Sequence, residues 1–205
     1  MPDIGLFLIA SALLAIAPGP DIVYVLTRGI TQGKRAGFAA ALGFATGGIF
    51  HTALAALGIA ALIRSSEFAF TLVRYAGAGY LIYLGIRMLA SRSAFRLGQD
   101  NATLALWTVY KQSVIGNVLN PKVTLFFLSF LPQFINMNAG RIELQMVLLG
   151  VLFMLQTVII FGAIAVFSGA IGDRLRVNPA IANRLNLFAG VIFVALGIRV
   201  AWPES

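Results

Sequence analysis

The chain has 205 residues, of which 60% are hydrophobic and 11% charged, whereas about a quarter of the residues in a soluble domain are charged. This composition excludes a soluble globular protein and predicts about six membrane spans, because about 20 apolar residues cross one bilayer core. The net charge of +8 comes from Lys and Arg residues scattered between apolar blocks, a pattern that does not indicate nucleic-acid binding. No cysteine is present, which excludes disulfides and Cys-based metal sites.

Six apolar segments are predicted to be membrane-spanning helices. In chain order they run from about Ile4 to Leu26, Phe38 to Ile63, Phe68 to Ala90, Tyr110 to Pro132, Leu144 to Phe167 and Leu185 to Ala201. The first and fourth segments contain internal prolines and are therefore predicted to be broken helices. Because the N-terminal residues lack the basic region of a secretory signal, the first segment is interpreted as a retained helix.

The connections between these segments differ in charge. Ten Lys or Arg residues lie on the side of the first, third and fifth connections, and four lie on the opposite side. The positive-inside rule then predicts a multi-pass protein of the bacterial inner membrane with both termini outside. The longest connection, residues 91–109, is predicted to be either a short interfacial helix or a solvated loop.

The two halves of the sequence resemble each other. The tetrapeptide Leu-Gly-Ile-Arg ends the third segment at Leu84–Arg87 and the sixth at Leu196–Arg199. Each half has an odd number of spans, so the second half enters the membrane in the opposite sense. The predicted fold is all-α, with six transmembrane helices as a 3+3 inverted repeat in one domain, 1–205. The repeats cover about 1–95 and 105–205. Such a repeat is typical of secondary transporters with a site near the midplane; a duplicated scaffold is the alternative.

The prolines at the breaks predict an interior site. Pro18, Pro20 and Pro121 have no N–H group, so the carbonyls four residues earlier lose their helical donors. Those carbonyls belong to Leu14, Ile16 and Asn117. In hydrocarbon an unpaired carbonyl costs several kcal/mol, so it is expected to face protein or a water-filled cavity.

Asp21 and Lys122 follow the two breaks directly. A charge near the bilayer centre is costly, so each is expected to face the interior of the bundle and to have a partner or a function. We predict that the two charges face each other in a substrate-binding or coupling site. The alternatives are that Asp21 only complements a helix N-terminus and that Lys122 extends to the interface.

Three further polar residues lie inside apolar segments. His51 shares a helix face with Gly43 and Gly47, where helices can approach closely, and it could carry a proton, bind substrate or be satisfied by a carbonyl. Gln156 is either its counterpart in the second half or a polar contact between helices. Arg74 could hold a carboxylate by a bidentate contact or extend to the interface.

Together these motifs resemble the LysE/RhtB amino-acid exporter family over nearly the whole chain. The likeness rests on Ala17-Pro18-Gly19-Pro20-Asp21, the Gly-rich second segment with His51, the stretch Tyr75–Gly85, and Asn120-Pro121-Lys122 followed by Phe126-Phe127 and Leu131–Phe134. The resemblance implies export of amino acids across a bacterial inner membrane by proton antiport. It also implies that Pro18, Gly19, Pro20, Asp21, Asn120, Pro121 and Lys122 are functionally important.

The residues bear on the substrate only through charge. Asp21 is the only clear acidic residue inside a predicted span, which favours a neutral amino acid such as threonine, homoserine or leucine over a basic one. The alternatives are a basic amino acid, a cation held by His51, Asp21 and Asn120, or a scaffold that transports nothing. An enzyme is not expected, since the sequence lacks the motifs of intramembrane proteases and hydrolases. The expected partners are the amino acid, protons, the bilayer and a second copy of the chain, without cofactor, metal or nucleic acid.

Overall fold

A computed structural model of the chain describes residues 4–59, 61, 66–90, 103–136, 139–177 and 179–202. Within these ranges the regular elements are all helical, and nine α-helices, α1 to α9, make up the fold without any strand. The all-helical class predicted from the sequence is therefore confirmed. Residues 91–102, which include most of the predicted interfacial helix or loop, lie outside the described ranges.

Two of the nine helices continue into segments with different winding. The helices are α1 Ile4–Ile16, α2 Pro20–Gln32, α3 Lys34–Ala53, α4 Glu67–Ala90, α5 Leu106–Val118, α6 Pro121–Leu125, α7 Ile142–Val166, α8 Ser168–Val177 and α9 Pro179–Ala201. Helix α3 continues as a π-helical segment, Leu54–Ile59. Helix α6 continues as a π-helical segment, Phe126–Phe130, and then as a 3₁₀ turn, Leu131–Phe134. π-helical turns are rare in proteins, and those that occur often lie at functional sites.

Between three and five parts of the described chain are long and apolar enough to cross a membrane. The three single helices are Lys34–Gly58, Ile142–Val166 and Asn183–Ala201. The number is five if each bent pair is one span: α1 with α2, bent by 59°, and α5 with α6 and its continuation, bent by 48°. Helix α4 covers the predicted third span with 24 residues but falls outside this group, and it carries Arg74 and Arg87. Six spans therefore stay a prediction.

Helix α3 lies at the centre of the bundle, packed against α2, α5 and α7. Small residues make these crossings close, as is usual between membrane helices. A Cβ atom at Gly47 would lie 2.6 Å from the Cβ of Asn117 on α5, and one at Gly37 would lie 2.8 Å from the Cβ of Ala165 on α7. Any side chain at these two glycines would push the helices apart.

Helices α4 and α9 pair along one side of the bundle. Gly85 of α4 packs against Gly190 of α9, and Gly197 of α9 packs against Ala78 of α4. Positions 78 and 85 correspond to 190 and 197 at the same offset that relates the two Leu-Gly-Ile-Arg tetrapeptides. The two contacts are therefore reciprocal with respect to the two halves of the chain.

A cluster of phenylalanines fills the core beside the two breaks. Its fully buried members on α1 and on the π-helical continuation of α6 are Phe7, Phe126, Phe127 and Phe130. Phe153 of α7 stacks edge-on against Phe127, with ring centroids 5.0 Å apart. The cluster holds α1, α6 and α7 together and leaves the breaks at the edge of a rigid apolar core.

Candidate functional site

The first break separates α1 from α2. Helix α1 ends at Ile16 and α2 begins at Pro20, whose missing N–H is tolerated in the first turn of a helix. Gly19 precedes this turn in extended conformation, and no side chain caps the new helix. Asp21 lies in the first turn of α2 and is 5% exposed. The break thus places a buried carboxylate at the N-terminus of a helix, where a negative charge is favoured.

The second break separates α5 from α6 and is built differently. Asn120 is the N-cap of α6, and its Oδ1 accepts a hydrogen bond of 3.0 Å from the backbone N–H of Lys122. Pro121 occupies the first helical position. This helix start therefore satisfies one of its own free N–H groups with its own side chain.

The amide of Asn120 joins the two breaks. Its Nδ2 donates to Oδ1 and to Oδ2 of Asp21, both at 2.8 Å. Asn120 is 4% exposed, so both hydrogen bonds lie in the protein interior. One asparagine thus caps α6 with its oxygen and binds the carboxylate of α2 with its nitrogen.

Lys122 binds backbone carbonyls rather than a carboxylate. Its Nζ donates to the carbonyls of Leu14 at 3.0 Å and Ala17 at 3.3 Å, at the C-terminal end of α1. The Leu14 carbonyl is one that Pro18 deprives of its donor. Lys122 forms no direct ion pair with Asp21, although both side chains line the same small cavity, and Lys122 does not extend to an interface. That the two charges act together in one site stays a prediction. A cation is favoured at a helix C-terminus, and the freed carbonyls there provide strong acceptors.

Gly19 allows this approach. A Cβ atom at this position would lie 3.2 Å from Nζ of Lys122. A larger residue would therefore displace the ammonium group from the carbonyls. The sequence motif around Pro18 and Pro20 thus requires a glycine for the close passage of a side chain from the other half of the chain.

His51 contacts the second break, between α5 and α6. Its side chain is fully buried, and Nε2 lies 3.0 Å from the carbonyl oxygen of Asn117. That carbonyl is the one that Pro121 deprives of its helical donor. Gly43 and Gly47 line the same crossing of α3 and α5, as their shared face predicts. Nδ1 of His51 and Oδ1 of Asn117 are buried without a hydrogen-bond partner.

Gln156 lies apart from Asp21, Asn120 and Lys122. It accepts a hydrogen bond from the hydroxyl of Ser11 through Oε1, and its Nε2 donates to the carbonyl of Leu8 at 2.8 Å. Gln156 therefore joins α7 to α1, as His51 joins α3 to α5.

A small cavity adjoins the charged residues. It is lined by Leu14, Ala15, Asp21, Asn117, Lys122, Val123, Phe153, Thr157 and Phe161 and has a volume of about 10 Å³. A space of this size is near the limit for one water molecule. The structure therefore has a small, nearly filled site, with a carboxylate, an ammonium and an amide beside apolar side chains.

The structure brings Asp21, Asn120 and Lys122 together and leaves His51 and Gln156 outside the lining of the cavity. Asn117 lines the cavity and was not predicted to act through its side chain. The sequence feature that could have indicated Asn117 is an amide residue within an apolar segment, four residues before Pro121. Thr157 and the two phenylalanines of α7 carry no comparable signal, because they resemble ordinary packing residues.

Comparison with known proteins identifies the family. The model of the LysE type translocator family matches residues 12–203. The chain belongs to this family. Similar proteins include a leucine efflux protein of Enterobacter sp. (strain 638), 32% identical over 95% of this chain and 93% of that protein. The leucine efflux protein of Klebsiella pneumoniae is 32% identical over 97% of this chain and 94% of that protein.

A further relative is the uncharacterised membrane protein YrhP of Bacillus subtilis, which is 33% identical over 92% of this chain and 93% of that protein. No solved structure matches the chain. The resemblance inferred from the sequence motifs is therefore confirmed. The family and the named relatives support amino-acid export by a multi-pass membrane protein and indicate a transporter rather than an enzyme.

Proposed function

We propose that this LysE-family translocator exports neutral amino acids from the cytoplasm across the bacterial inner membrane in exchange for protons. The observation that carries the proposal is that Asp21, Asn120 and Lys122 meet beside one small cavity with both polar and apolar lining residues. Each charged group comes from a different helix break, so a movement of either break changes the site directly. Such a site at broken helices is the usual arrangement in secondary transporters.

The fold proposed for this function is a 3+3 inverted repeat of six spans, with repeats of about 1–95 and 105–205. The reciprocal packing of α4 and α9 supports it. In a two-fold contact, residue i of one unit meets residue j of the other, and j meets i. Gly85 with Gly190 and Ala78 with Gly197 follow that rule at one constant offset along the sequence.

The contacts of His51 and Gln156 support the same repeat. His51 lies on α3, the second predicted span of the first half, and binds a carbonyl of α5. Gln156 lies on α7, the second predicted span of the second half, and binds a carbonyl of α1. Each therefore joins the middle helix of one half to the broken helix of the other. We propose that both hold the breaks in place rather than bind substrate.

The proposed substrate is a neutral amino acid with its two charged groups held by the two breaks. Asp21 and the unpartnered Oδ1 of Asn117 provide acceptors for an α-ammonium group. Lys122 provides a cation for the α-carboxylate. Phe153 and Phe161 provide an apolar wall for the side chain. One carboxylate and one ammonium balance a zwitterion and leave no second carboxylate for a basic side chain.

Proton coupling is proposed to reside on Asp21. Asn120 donates to both oxygens of this carboxylate, which is the arrangement that stabilises its ionised form. A proton from outside would neutralise Asp21, weaken its attraction for the ammonium of the substrate and release the amino acid. The cavity of about 10 Å³ must widen before an amino acid can enter, so binding and opening are expected to be coupled.

The test uses purified protein in liposomes that contain a trapped pH indicator. Labelled leucine, threonine and homoserine are expected to exchange faster than lysine or arginine, and substrate movement is expected to change the internal pH. Asp21→Asn is expected to remove the pH change. Asp173→Asn is the matched control, because Asp173 is an exposed carboxylate on α8.

Three results would contradict the proposal, and each concerns a different claim: the substrate, the proton coupling or transport itself. Preference for lysine or arginine would refute the neutral substrate. Leucine exchange without proton movement would refute the antiport. Failure of every amino acid to move would favour a scaffold.

A further inference from the structure

A second polar cavity shares no lining residue with the cavity beside Asp21 and Lys122. It has a volume of about 160 Å³ and is lined by Arg74, Gln133, Phe134, Arg199, Val200 and Trp202. These residues come from α4, from the 3₁₀ turn after α6 and from the end of α9. The cavity is therefore built where three separate parts of the chain meet.

Two guanidinium groups line this cavity, and none of its described lining residues is an Asp or Glu. In the described part of the chain, neither Arg74 nor Arg199 forms an ion pair with an Asp or Glu. Arg74 is seven residues into α4, about 10 Å from its start at 1.5 Å per residue, so it is not a terminal residue of the helix. Two like charges facing one space repel each other, and an anion between them would remove that repulsion.

The guanidinium of Arg74 is oriented but only partly bound. Its Cζ lies 5.3 Å from the centre of the ring of Tyr75, within range of a cation–π contact. Its Nε atom is buried and has no hydrogen-bond partner. A planar guanidinium held by an aromatic ring and retaining an unused N–H donor is suited to a bidentate contact with an oxyanion.

The neighbouring side chains complete a partly enclosed site. The Nε2 atom of Gln133 donates to the carbonyl of Ser129 at 3.1 Å, which holds the amide on the turn beside the cavity. Trp202 also lines the cavity, directly after the end of α9, and is 75% exposed. The cavity thus has a fixed polar wall and an accessible aromatic edge.

The repeat in the fold does not account for the pair of arginines. At the offset that relates the two halves, Arg199 corresponds to Arg87, but Arg74 corresponds to Asn186. The second cation is therefore a property of this end of the bundle alone. Because Arg74 has an uncharged residue at its corresponding position, its charge is not needed for the packing of the two halves. This indicates a separate role for the pair of arginines.

We propose that Arg74 and Arg199 form an oxyanion-binding site for a carboxylate or phosphate group. The site itself does not depend on the proposed substrate or on proton coupling. Its position on the outer face of the membrane rests on the orientation predicted from the Lys and Arg residues of the connections. There it is accessible to the carboxylate of a free amino acid or to the phosphate of a lipid in the outer leaflet.

Trp202 provides a direct test. The chain has two tryptophans, so Trp107→Phe leaves Trp202 as the only reporter. This variant, purified in detergent, is titrated with N-acetyl-leucine, which has a carboxylate but no ammonium group, with leucinamide, which has no carboxylate, and with inorganic phosphate. It is also measured in nanodiscs of phosphatidylcholine with and without phosphatidylglycerol.

A saturable change in Trp202 fluorescence with N-acetyl-leucine or phosphate, but not with leucinamide, is expected for a free oxyanion. A change caused only by phosphatidylglycerol assigns the same site to a lipid phosphate. In either case Arg74→Gln and Arg199→Gln, placed in the Trp107→Phe background, are expected to weaken the response about tenfold or more.

Arg87→Gln is the matched control, because Arg87 lies on the same helix and over the ring of Tyr83, with its Cζ 5.9 Å from the ring centre. The proposal is wrong if no arm gives a response, or if Arg87→Gln weakens the response as much as Arg74→Gln. Asp21→Asn, which is expected to abolish coupling at the first site, is expected to leave the Trp202 response unchanged. Failure at one site is therefore distinguishable from failure at the other.

Discussion

Each of the two helix breaks lies within a bent pair of helices, but the two are stabilised in different ways. The second break has its own N-cap, since Asn120 accepts from the N–H of Lys122. The first break has no side-chain cap, and the ammonium of Lys122 binds the carbonyls at the end of α1. The first break thus depends on the second for both its free carbonyls and its carboxylate. The two breaks therefore carry complementary chemistry: one provides acceptors, and the other provides the donors that bind them.

The largest effect is expected from Lys122→Met, which removes the cation from the first break. Loss of two charge-assisted hydrogen bonds leaves the carbonyls of Leu14 and Ala17 unpaired and is expected to destabilise the protein by about 3 kcal/mol. Transport is expected to fall below about 1% of the original rate. Thermal unfolding and liposome exchange measure the two effects. Lys111→Met is the control, since Lys111 is exposed on α5. Wild-type exchange by Lys122→Met would refute the proposed site.

A double-mutant cycle of Asp21→Asn and Lys122→Met tests whether the breaks act as one unit. The two side chains are linked through Asn120 rather than by a direct ion pair, and we expect a coupling energy of about 0.5–3 kcal/mol. The free energy of unfolding is measured for both single variants and the double variant. Additivity within about 0.3–0.5 kcal/mol would mean that the two charges act independently, and the dependence of one break on the other would be wrong.

The reciprocal packing of the two halves of the chain is tested at the crossing of α4 and α9. Gly85→Ala and Gly197→Ala are expected to destabilise the protein by similar amounts, about 1–3 kcal/mol each. A new Cβ atom would lie 2.7 Å from the carbonyl oxygen of Gly190 in the first variant and 2.8 Å from that of Ala78 in the second. Gly79→Ala is the control, since no other atom lies within 4 Å of its Cβ position. Thermal unfolding that shows a large effect at only one glycine would contradict reciprocal packing.

Substitutions of Asn120 separate its two roles. Asn120→Ser keeps an N-cap oxygen but removes the amide that binds Asp21, whereas Asn120→Ala removes both. The alanine variant is expected to be about 1 kcal/mol less stable than the serine variant, which is the usual value of a cap. Both are expected to lose proton coupling in the liposome assay. Normal coupling in the serine variant would show that the bond from Asn120 to Asp21 is not needed.

Cysteine labelling tests the orientation and is expected to leave stability almost unchanged. The natural chain has no cysteine, so each introduced thiol is the only one. Lys34→Cys, at the start of α3, is expected to react only from the cytoplasm, and Arg141→Cys, before α7, only from outside. Both positions are exposed, and an impermeant maleimide on intact cells and on inverted vesicles provides the measurement. Labelling of both from the same side would overturn the inverted repeat.

The sequence was sufficient to predict which backbone carbonyls at the two breaks need new partners, but not the side chains that bind them. Proline chemistry indicated which carbonyls lose their donors, and those of Leu14 and Asn117 are indeed bound by side chains. The side chain that binds each carbonyl lies in the other half of the chain, so local patterns carry no information about it. Charge alone suggested that Lys122 faces Asp21, whereas the freed carbonyls at the end of α1 compete for the ammonium. The polar role of Asn117 depends on the same long-range packing.

The bridge between the breaks has a consequence for biosynthesis. Asp21 is made about 100 residues before Asn120 and Lys122, and a ribosome adds roughly 5–20 residues per second. For several seconds, therefore, the first half carries a buried acid, an uncapped helix end and a histidine whose acceptor has not yet been synthesised. These groups cannot be left in lipid without a large cost. The helices of the first half must then stay beside the insertion machinery, or in contact with water, until the Asn-Pro-Lys segment has been synthesised and can bind these groups.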